Sequence, residues 1–333
     1  MFKTGIPPMY AWSTSSGGSG VGTKANVNNA YFWNGGAGSS SRIYGTPSNV
    51  IDFFDRTASG VASATDRGDD INSTSGPRGC HDATRSYRVG KMSSSSGGET
   101  NVAYIDLTVN NTNAVDAADL LTYDNRHGGA ALNGPVYGYC NGSGNTLEYF
   151  TLANMSGNAA DAGDLSYSKR ATQGISNTSY GHVLGGYSIT DLGKDDRWNN
   201  DNTVDYIDAT TTSTNGTDRM NMFLARRLCG TISGGTQGYI CGGVTSTDLT
   251  VTGTATNAIE YFDTSTNSGA AADRSDLSVA MGDLNSNNDS QGFSHGLVGT
   301  GTHVDRLDMF THNANAVDRG DRTVDNKYAS CCN

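Results

Sequence analysis

Residues 259–263 read Ile-Glu-Tyr-Phe-Asp, and an acidic pair, Asp273 and Asp276, begins thirteen residues after Glu260. The same pattern recurs along the chain: a hydrophobic residue, an acidic anchor, an apolar or aromatic pair, then an acidic pair, whose second member is Asn221 in the fourth repeat. The anchors are Asp52, Glu148, Asp205, Glu260 and Asp305, with Ala103 at the corresponding place in the second repeat. The interval from anchor to acidic pair is 14 residues in the first repeat and 13 in the other five. An interval that stays constant while the surrounding sequence varies indicates a structural repeat.

A short apolar run ending in glycine precedes each anchor, as in Tyr239-Ile240-Cys241-Gly242-Gly243. Short β-type runs between turn clusters predict strands, and no apolar 3.6-residue period spans a helix-length window. Each repeat of about 50 residues offers three or four strands, which matches one propeller blade. We therefore predict an all-β protein, a β-propeller of about six kelch-like blades. Seven blades are an alternative if the N-terminal 30 residues hide a degenerate one.

The repeats divide the chain into residues 1–30, an N-terminal segment, and residues 31–333, the six-unit propeller. The first repeat starts with its glycine-ended run, and the last ends soon after its acidic pair. The last blade is therefore expected to lack a strand. We predict that residues from Met9 to Ser16 supply it and close the ring.

Composition limits the classes of function. Hydrophobic residues make up 35% of the chain and glycine 44 of its 333 residues, which is typical of a thin-cored, turn-rich β protein. The net charge of −11 argues against a nucleic-acid partner, since nucleic-acid binders carry a basic patch. No apolar stretch is long enough to predict membrane insertion. The N-terminus lacks the apolar region of a secretory signal, so export by a signal peptide is not expected.

Six cysteines are present, and none forms a CxxC pair, which disfavours a zinc ribbon or a thioredoxin-like site. Cys140 and Cys241 lie in strand-like runs, where a free cysteine usually packs as a small buried hydrophobe. The adjacent Cys331 and Cys332 could crosslink to another chain or simply pack.

The candidate catalytic and metal-ligating residues all have a plainer interpretation. The Asp-x-x-Asp pairs could hold calcium, but their recurrence in every repeat favours carboxylates that fix turns. The six histidines show no HxH or HExxH spacing, so no metal site is predicted. Asp52 and Glu148 could be paired glycosidase carboxylates, yet they are repeat positions first. We predict no catalytic residue and no cofactor.

The segment from Tyr187 to Asn200 is the most distinctive variable link between a glycine-ended run and its anchor, because it combines charge with a tryptophan. Propeller loops of this kind project from one face, where binding tends to occur. Tryptophan and arginine are favoured contact residues. Tyr187, Arg197 and Trp198 are therefore the predicted binding residues; the alternative is an ordinary loop whose Trp198 packs into its own blade.

The repeat resembles the kelch family. The doublets Gly35-Gly36, Gly185-Gly186 and Gly242-Gly243 are similar to the family's glycine pair, and Tyr206 and Tyr261 stand where its following strand has tyrosine. Arg126, Arg170 and Arg226 resemble the arginine that often opens the next kelch unit. The family's tryptophan is missing from all six units, and small residues such as Ala159, Ala271 and Ala272 lie there instead. Packing between blades is therefore expected to differ from that of a standard kelch domain.

The text from Tyr261 to Ala280 is similar to degenerate kelch-like repeats in structural proteins of phages that infect marine cyanobacteria and other marine bacteria. The resemblance extends over roughly residues 30–328 and implies a non-enzymatic virion protein, associated with tail or capsid. Such a protein is made in the host cytoplasm and docks to other virion proteins in several symmetric copies. The alternatives are an adhesin that binds host-surface glycan and, in another class, a glycan-degrading enzyme.

Overall fold

The computed structural model describes residues 29–37, 46–55, 64–74, 78–91, 99–109, 112–122, 129–141, 144–152, 157–177, 179–188, 200–234, 236–245, 253–266, 269–282, 285–286, 295–309, 314–327 and 330–332. These residues form strands, turns and bends and contain no helix, which confirms the all-β prediction. Within these ranges, no helix has the length and apolar character needed to cross a membrane.

The described residues form twenty-five strands. Those of the first half are β1 (Asn29–Ala37), β2 (Thr46–Asp55), β3 (Thr65–Thr74), β4 (Arg78–His81), β5 (Arg85–Lys91), β6 (Glu99–Asp106), β7 (Val115–Asp119), β8 (Ala131–Asn133), β9 (Tyr137–Asn141), β10 (Gly144–Thr151), β11 (Ala160–Arg170) and β12 (Gln173–Ser176). Those of the second half are β13 (Tyr180–Leu184), β14 (Tyr187–Ser188), β15 (Thr203–Asp208), β16 (Thr217–Asn221), β17 (Gly230–Gly234), β18 (Gln237–Cys241), β19 (Val244–Thr245), β20 (Thr254–Asp263), β21 (Ala272–Met281), β22 (Asn285–Ser286), β23 (His295–Asp308), β24 (Val317–Lys327) and β25 (Ser330–Cys332).

These strands build five antiparallel sheets. Units two to five each form one sheet, in the order β4-β5-β6-β7, β8-β9-β10-β11, β12-β13-β15-β16 and β17-β18-β20-β21, with β14 added to β11 and β19 added to β20. Unit one (β25, β1, β2 and β3) and unit six (β22, β23 and β24) share a seven-stranded sheet. They are joined because the end of β1 pairs with the end of β24, Gly36 with Lys327 and Ala37 with Asn326. The six predicted units therefore occupy five sheets rather than six.

The innermost strands follow one another around a closed ring. In order they are β25, β4, β8, β12, β17 and β22, and β22 lies against β25 again. The chain is thus a β-propeller. The inner strand of unit one comes from the C-terminus, since β25 pairs Ser330, Cys331 and Cys332 with Trp33, Phe32 and Tyr31 of β1. Closure was predicted from Met9 to Ser16, which lie outside the described residues; in the structure the C-terminal strand fills the inner position of the first unit.

The hydrophobic core is divided among the interfaces between units. Tyr31 and Trp33 of unit one pack with Ile105 and Leu107 of unit two, and corresponding clusters join each later pair. Phe32 and Phe54 of unit one pack with Val304 of unit six, which completes the circuit. Because each sheet is covered on both faces near the axis, β4 and β12 are buried at every residue. The outer strand β16 is mostly exposed.

A register shift lies beside the anchor in every unit. In unit five it falls between Ile259 and Glu260, and in unit six between Val304 and Asp305; the other four units have it at the same place. A β-bulge bends its strand and re-aims a side chain. The bulge therefore turns the anchor side chain out of its own sheet and toward the preceding unit.

Candidate functional site

The predicted binding segment is described only at its base. Tyr187 lies in β14, where it pairs with Arg170 of the preceding unit and bridges to Asn200. Its side chain is only 4% exposed, so little of it is available for contact with a partner, and its assignment as a binding residue stays a prediction. Arg197 and Trp198 lie outside the described residues, and their assignment stays a prediction.

Glu260 shows what the anchor carboxylates do. Its side chain is fully buried, accepts hydrogen bonds from the backbone N–H groups of Phe223 (2.7 Å) and Leu224 (3.0 Å), and lies 2.7 Å from Arg226 Nη2. All three partners follow the outer strand of unit four, whereas Glu260 belongs to unit five. Burial raises the pKa of Glu260, and the Arg226 charge opposes that rise. The anchor carboxylate therefore links its own unit to the preceding one, and we call this contact between neighbouring units a joint.

Four other units repeat this joint with different donors from the preceding unit. The contacts are Asp52 with Thr323, Glu148 with Leu121 and Thr122, Asp205 with Ser166 and Lys169, and Asp305 with Ser278. The anchors are 0–2% exposed. A buried carboxylate is tolerated only when it is paired or hydrogen-bonded. The outer strand of the neighbouring unit meets that need for Asp52, Asp205 and Asp305, and the residues just after that strand meet it for Glu148. The Asp52–Thr323 joint links unit six to unit one and so belongs to ring closure.

Unit two has no anchor carboxylate, because Ala103 stands at that position. Arg88 lies directly opposite Ala103 in the ladder and pairs with Asp70 from the outer strand of unit one. At this interface the acid belongs to the preceding unit and the arginine to the following one, which reverses the arrangement of Arg226 and Glu260. Sequence reasoning did not identify Asp70 or Arg88; an arginine in the strand facing the one missing acid was the available signal.

A second joint, made by the backbone, involves the second member of each acidic pair. Its carbonyl oxygen accepts the N–H group of the residue that leads into the next unit's outer strand. The six bonds, donor first, are Ala114–Asp69, Ala159–Asp119, Gly216–Asp164, Ala271–Asn221, Ala316–Asp276 and Ala64–Asp321, and they measure 2.7–3.1 Å. The last of them joins unit one to unit six. Ala159 and Ala271, which stand near the missing kelch tryptophan, are buried donors in this series.

The first members of these pairs fix local turns. Asp161 Oδ1 accepts the N–H group of Gly163, and Asp318 Oδ1 accepts that of Gly320, both at 2.9 Å. Both glycines have a φ in the left-handed region, 137° and 128°. These contacts agree with the interpretation of the acidic pairs as turn-forming carboxylates.

A buried lysine lies next to the base of the segment that begins after Tyr187. Lys169 Nζ is 3.0 Å from Asp205 Oδ2 and 3.8 Å from Asp201 Oδ2, and it donates to Thr203 Oγ1 at 3.2 Å. Burial lowers the pKa of Lys169, while Asp205 raises it, and burial raises the pKa of Asp201. Because Lys169 is held by the anchor of unit four, this group also serves as a joint.

Four of the cysteines lie in the buried interior. Cys140 and Cys241 are among them, which confirms their interpretation as small hydrophobes, and Cys80 and Cys229 are buried as well. Burial raises the pKa of Cys229 to about 11 and that of Cys241 to about 12. At neutral pH these thiols are protonated, and the thiolate is the nucleophilic form.

Among the described residues, one group of three His, Cys, Asp or Glu side chains brings its ligand atoms close enough for a metal ion: His303, Asp305 and Asp318. These atoms lie within 4.8 Å of one another. Asp305 is the buried anchor of unit six, His303 precedes it by two residues, and Asp318 faces it across the ladder. The sequence prediction contained no metal site, because fifteen residues separate His303 from Asp318 and only strand pairing brings them together.

Comparison with known proteins supports the fold. No protein-family model and no curated protein matches the chain. Among 425 matching chains of solved structures is that of YjhT, with a TM-score of 0.65 and 11% sequence identity. The match covers 90% of this chain and 97% of the YjhT chain. At this identity the similarity shows a shared propeller fold alone.

Proposed function

We propose that this chain is a non-enzymatic, kelch-like ring that serves as a structural protein of a phage particle. It is made in the host cytoplasm and docks, in several symmetric copies, to other virion proteins of the tail or capsid. Host-surface glycan is a second candidate partner. The resemblance of the repeats over residues 30–328 supplies the virion context.

The kelch-like character of the units is supported by two glycine doublets. Gly185 and Gly186 have φ values of 53° and 91°, and Gly242 and Gly243 have values of 53° and 104°. A Cβ atom on Gly186 would lie 2.2 Å from the carbonyl oxygen of Arg170. Only glycine combines this backbone conformation with so close an approach. Glycine is therefore required at these two doublets, where the second strand of the unit ends in a turn close to neighbouring backbone.

The proposal is supported mainly by the location of the repeated polar side chains, which lie between units and not at the surface. Each anchor carboxylate, together with the Asp70–Arg88 pair, is buried at a joint between units. These groups hold the ring in shape. Contact with a partner is then left to segments that differ between units, such as residues 189–199 and 246–252, which link the second strand of a unit to its anchor strand.

The overall charge suits a protein partner. A net charge of −11 repels nucleic acid and anionic membrane surfaces, whereas it does not oppose docking to neutral or basic protein surfaces. A rigid ring with variable loops is a common way to place binding residues on a stable scaffold.

The test is to localise the chain in purified phage particles with an antibody raised against the ring. We expect discrete labelling at the tail or shell and a fixed number of copies per particle. Absence of the chain from purified particles would refute the proposal. Labelling at the tail tip together with binding to host glycan would favour the adhesin role, and release of reducing ends from host polysaccharide would establish a glycan-degrading enzyme instead.

A further inference from the structure

Unit six carries a group of side chains that has no counterpart among the described residues of the other units. His303 Nε2 lies 3.0 Å from Asp305 Oδ1 and 3.1 Å from the Ser278 hydroxyl. Asp305 is fully buried, His303 is partly exposed and Asp318 is exposed. The three potential ligands therefore form a site at the surface whose buried side is a fixed carboxylate.

The imidazole distinguishes this site from the other joints. An anchor acid also faces the first acid of the pair in four other units: Asp52 with Asp66, Glu148 with Asp161, Asp205 with Asp218 and Glu260 with Asp273. The residues two positions before the anchor there are Val50, Thr146, Thr203 and Ala258, none of which ligates a transition metal. In unit six this position is His303, so the facing acids are joined by an imidazole nitrogen as a third potential ligand.

We propose that His303, Asp305 and Asp318 bind a divalent transition-metal ion, with Zn²⁺ as the best match. Imidazole nitrogen and carboxylate oxygen are common zinc ligands, with bonds of about 2.0–2.2 Å, and three protein ligands leave one position for water. Tetrahedral bonds of that length separate ligand atoms by roughly 3.3 Å. Because the three ligand atoms lie within 4.8 Å of one another, a shift of up to about 1.5 Å by the exposed Asp318 side chain brings the group to that spacing.

The preceding unit orients the buried ligand. Ser278 of unit five donates its backbone N–H group to Asp305 Oδ2 at 2.7 Å and its hydroxyl to Asp305 Oδ1 at 2.6 Å. Hydrogen bonds of this kind fix the geometry of a ligating carboxylate. A bound ion links β23 to β24 and, through Asp305, reinforces the joint between units five and six. Its expected effect is therefore on the stability of the ring.

The test is a titration of the metal-free full-length chain with ZnCl₂, followed by calorimetry and by thermal unfolding. We expect one ion per chain at this site and a rise in Tm. No comparable rise is expected with CaCl₂, because Ca²⁺ takes six to eight oxygen ligands and this site offers only two carboxylates. His303→Gln and, separately, Asp318→Asn should each weaken Zn²⁺ binding at least tenfold. Asp318 is exposed, so its variant tests the site even if the histidine variant unfolds.

Two controls sharpen this experiment. Asp273→Asn removes the equivalent acid of unit five, where no imidazole is present, and should leave Zn²⁺ affinity unchanged. Replacing Cys331 and Cys332 with serine excludes thiol ligands, and the titration should persist in that background. Equal Zn²⁺ affinity in wild type and His303→Gln, absence of stoichiometric binding, or an equal response to Ca²⁺ would overturn the proposal.

Discussion

Arg88 Nε lies 2.7 Å from Asp70 Oδ2, and both side chains are completely buried between the first and second units. Arg88 also donates to the carbonyl oxygens of Gly90 and Asn101, at 3.0 and 3.1 Å. The N–H group of Ile71, which corresponds to the donors that reach the anchor in other units, bonds to Asp70 Oδ1 instead. The loss of an acid at Ala103 is thus offset by an acid on the opposite side of the same interface.

Asp70→Asn should destabilise the ring by about 3–5 kcal/mol, because it leaves the Arg88 charge buried without its partner. Adding Arg88→Leu should recover more than half of that loss, since an apolar pair needs no counter-charge. Urea unfolding measures both. Asp69→Asn, an exposed neighbour, is the control and should change the free energy of unfolding by less than about 0.5 kcal/mol. Equal losses in the single and double variants would show that the unpaired Arg88 charge is not the cause of the loss.

His182 should make the ring sensitive to mild acid. Its imidazole is fully buried between Tyr206 and Phe262, with ring centroids 5.7 and 5.2 Å away, and burial lowers its pKa to about 4. The unfolded chain takes up this proton near pH 6.5. The folded chain is then disfavoured as the pH falls from about 6.5 to about 4, by up to about 3 kcal/mol.

His182→Phe keeps a ring in this space and removes the proton. The free energy of unfolding of wild type, measured in urea at a series of pH values, should therefore fall more steeply than that of the variant between pH 4 and 6.5. Above pH 7 the two curves should run parallel. Parallel curves over the whole range would mean that His182 is hydrated in the folded state.

Removal of residues 330–333 should open the first unit at its inner edge. The strand Ser330–Cys332 pairs with three residues of β1, and its ladder bonds contribute roughly 2–3 kcal/mol at about 1 kcal/mol each. Thermal unfolding should show a lower Tm for this variant. Deletion of residues 1–25 is the comparison, since closure was first predicted from that segment. A larger loss from the N-terminal deletion would contradict closure by the C-terminal strand.

The combined change Arg197→Ala and Trp198→Ala should weaken docking to the particle. Truncation of a central arginine or tryptophan contact typically costs about 2 kcal/mol, or roughly thirtyfold in affinity. Quantitative blotting of purified particles measures the copies retained, and Thr217→Ala, on the exposed outer strand β16 and outside the variable segments, provides the control. Unchanged assembly and unchanged host attachment would remove residues 189–199 from the proposed surface.

The repeat and its strands could be predicted from the sequence because they depend on residues that are close together along the chain. The anchors fall on β2, β6, β10, β15, β20 and β23, and the acidic pairs fall on the strand that follows in each sheet. The thirteen-residue interval is the length of the third strand, its turn and the bulged start of the fourth. Such spacing is visible in one chain without any partner information.

The joints and the closure depend on contacts between distant residues. Asp70 and Arg88 meet only after two sheets stack, and His303 meets Asp318 only through strand pairing. The closing strand Ser330–Cys332 has three residues, too few for a β pattern. The short inner strands β4 and β12 are buried on both faces and so show no alternation. Spacing along the chain carries none of this information.

Native-state hydrogen exchange measured by NMR tests whether the six units form a closed ring held by one repeated joint. The relevant amides are Ala64, Ala114, Ala159, Gly216, Ala271 and Ala316. We expect all six to be protected to within about tenfold of one another, including Ala64, whose bond to Asp321 joins the first unit to the last. Protection of the other five with exchange of Ala64 at the rate of an unstructured amide would show that the ring is open.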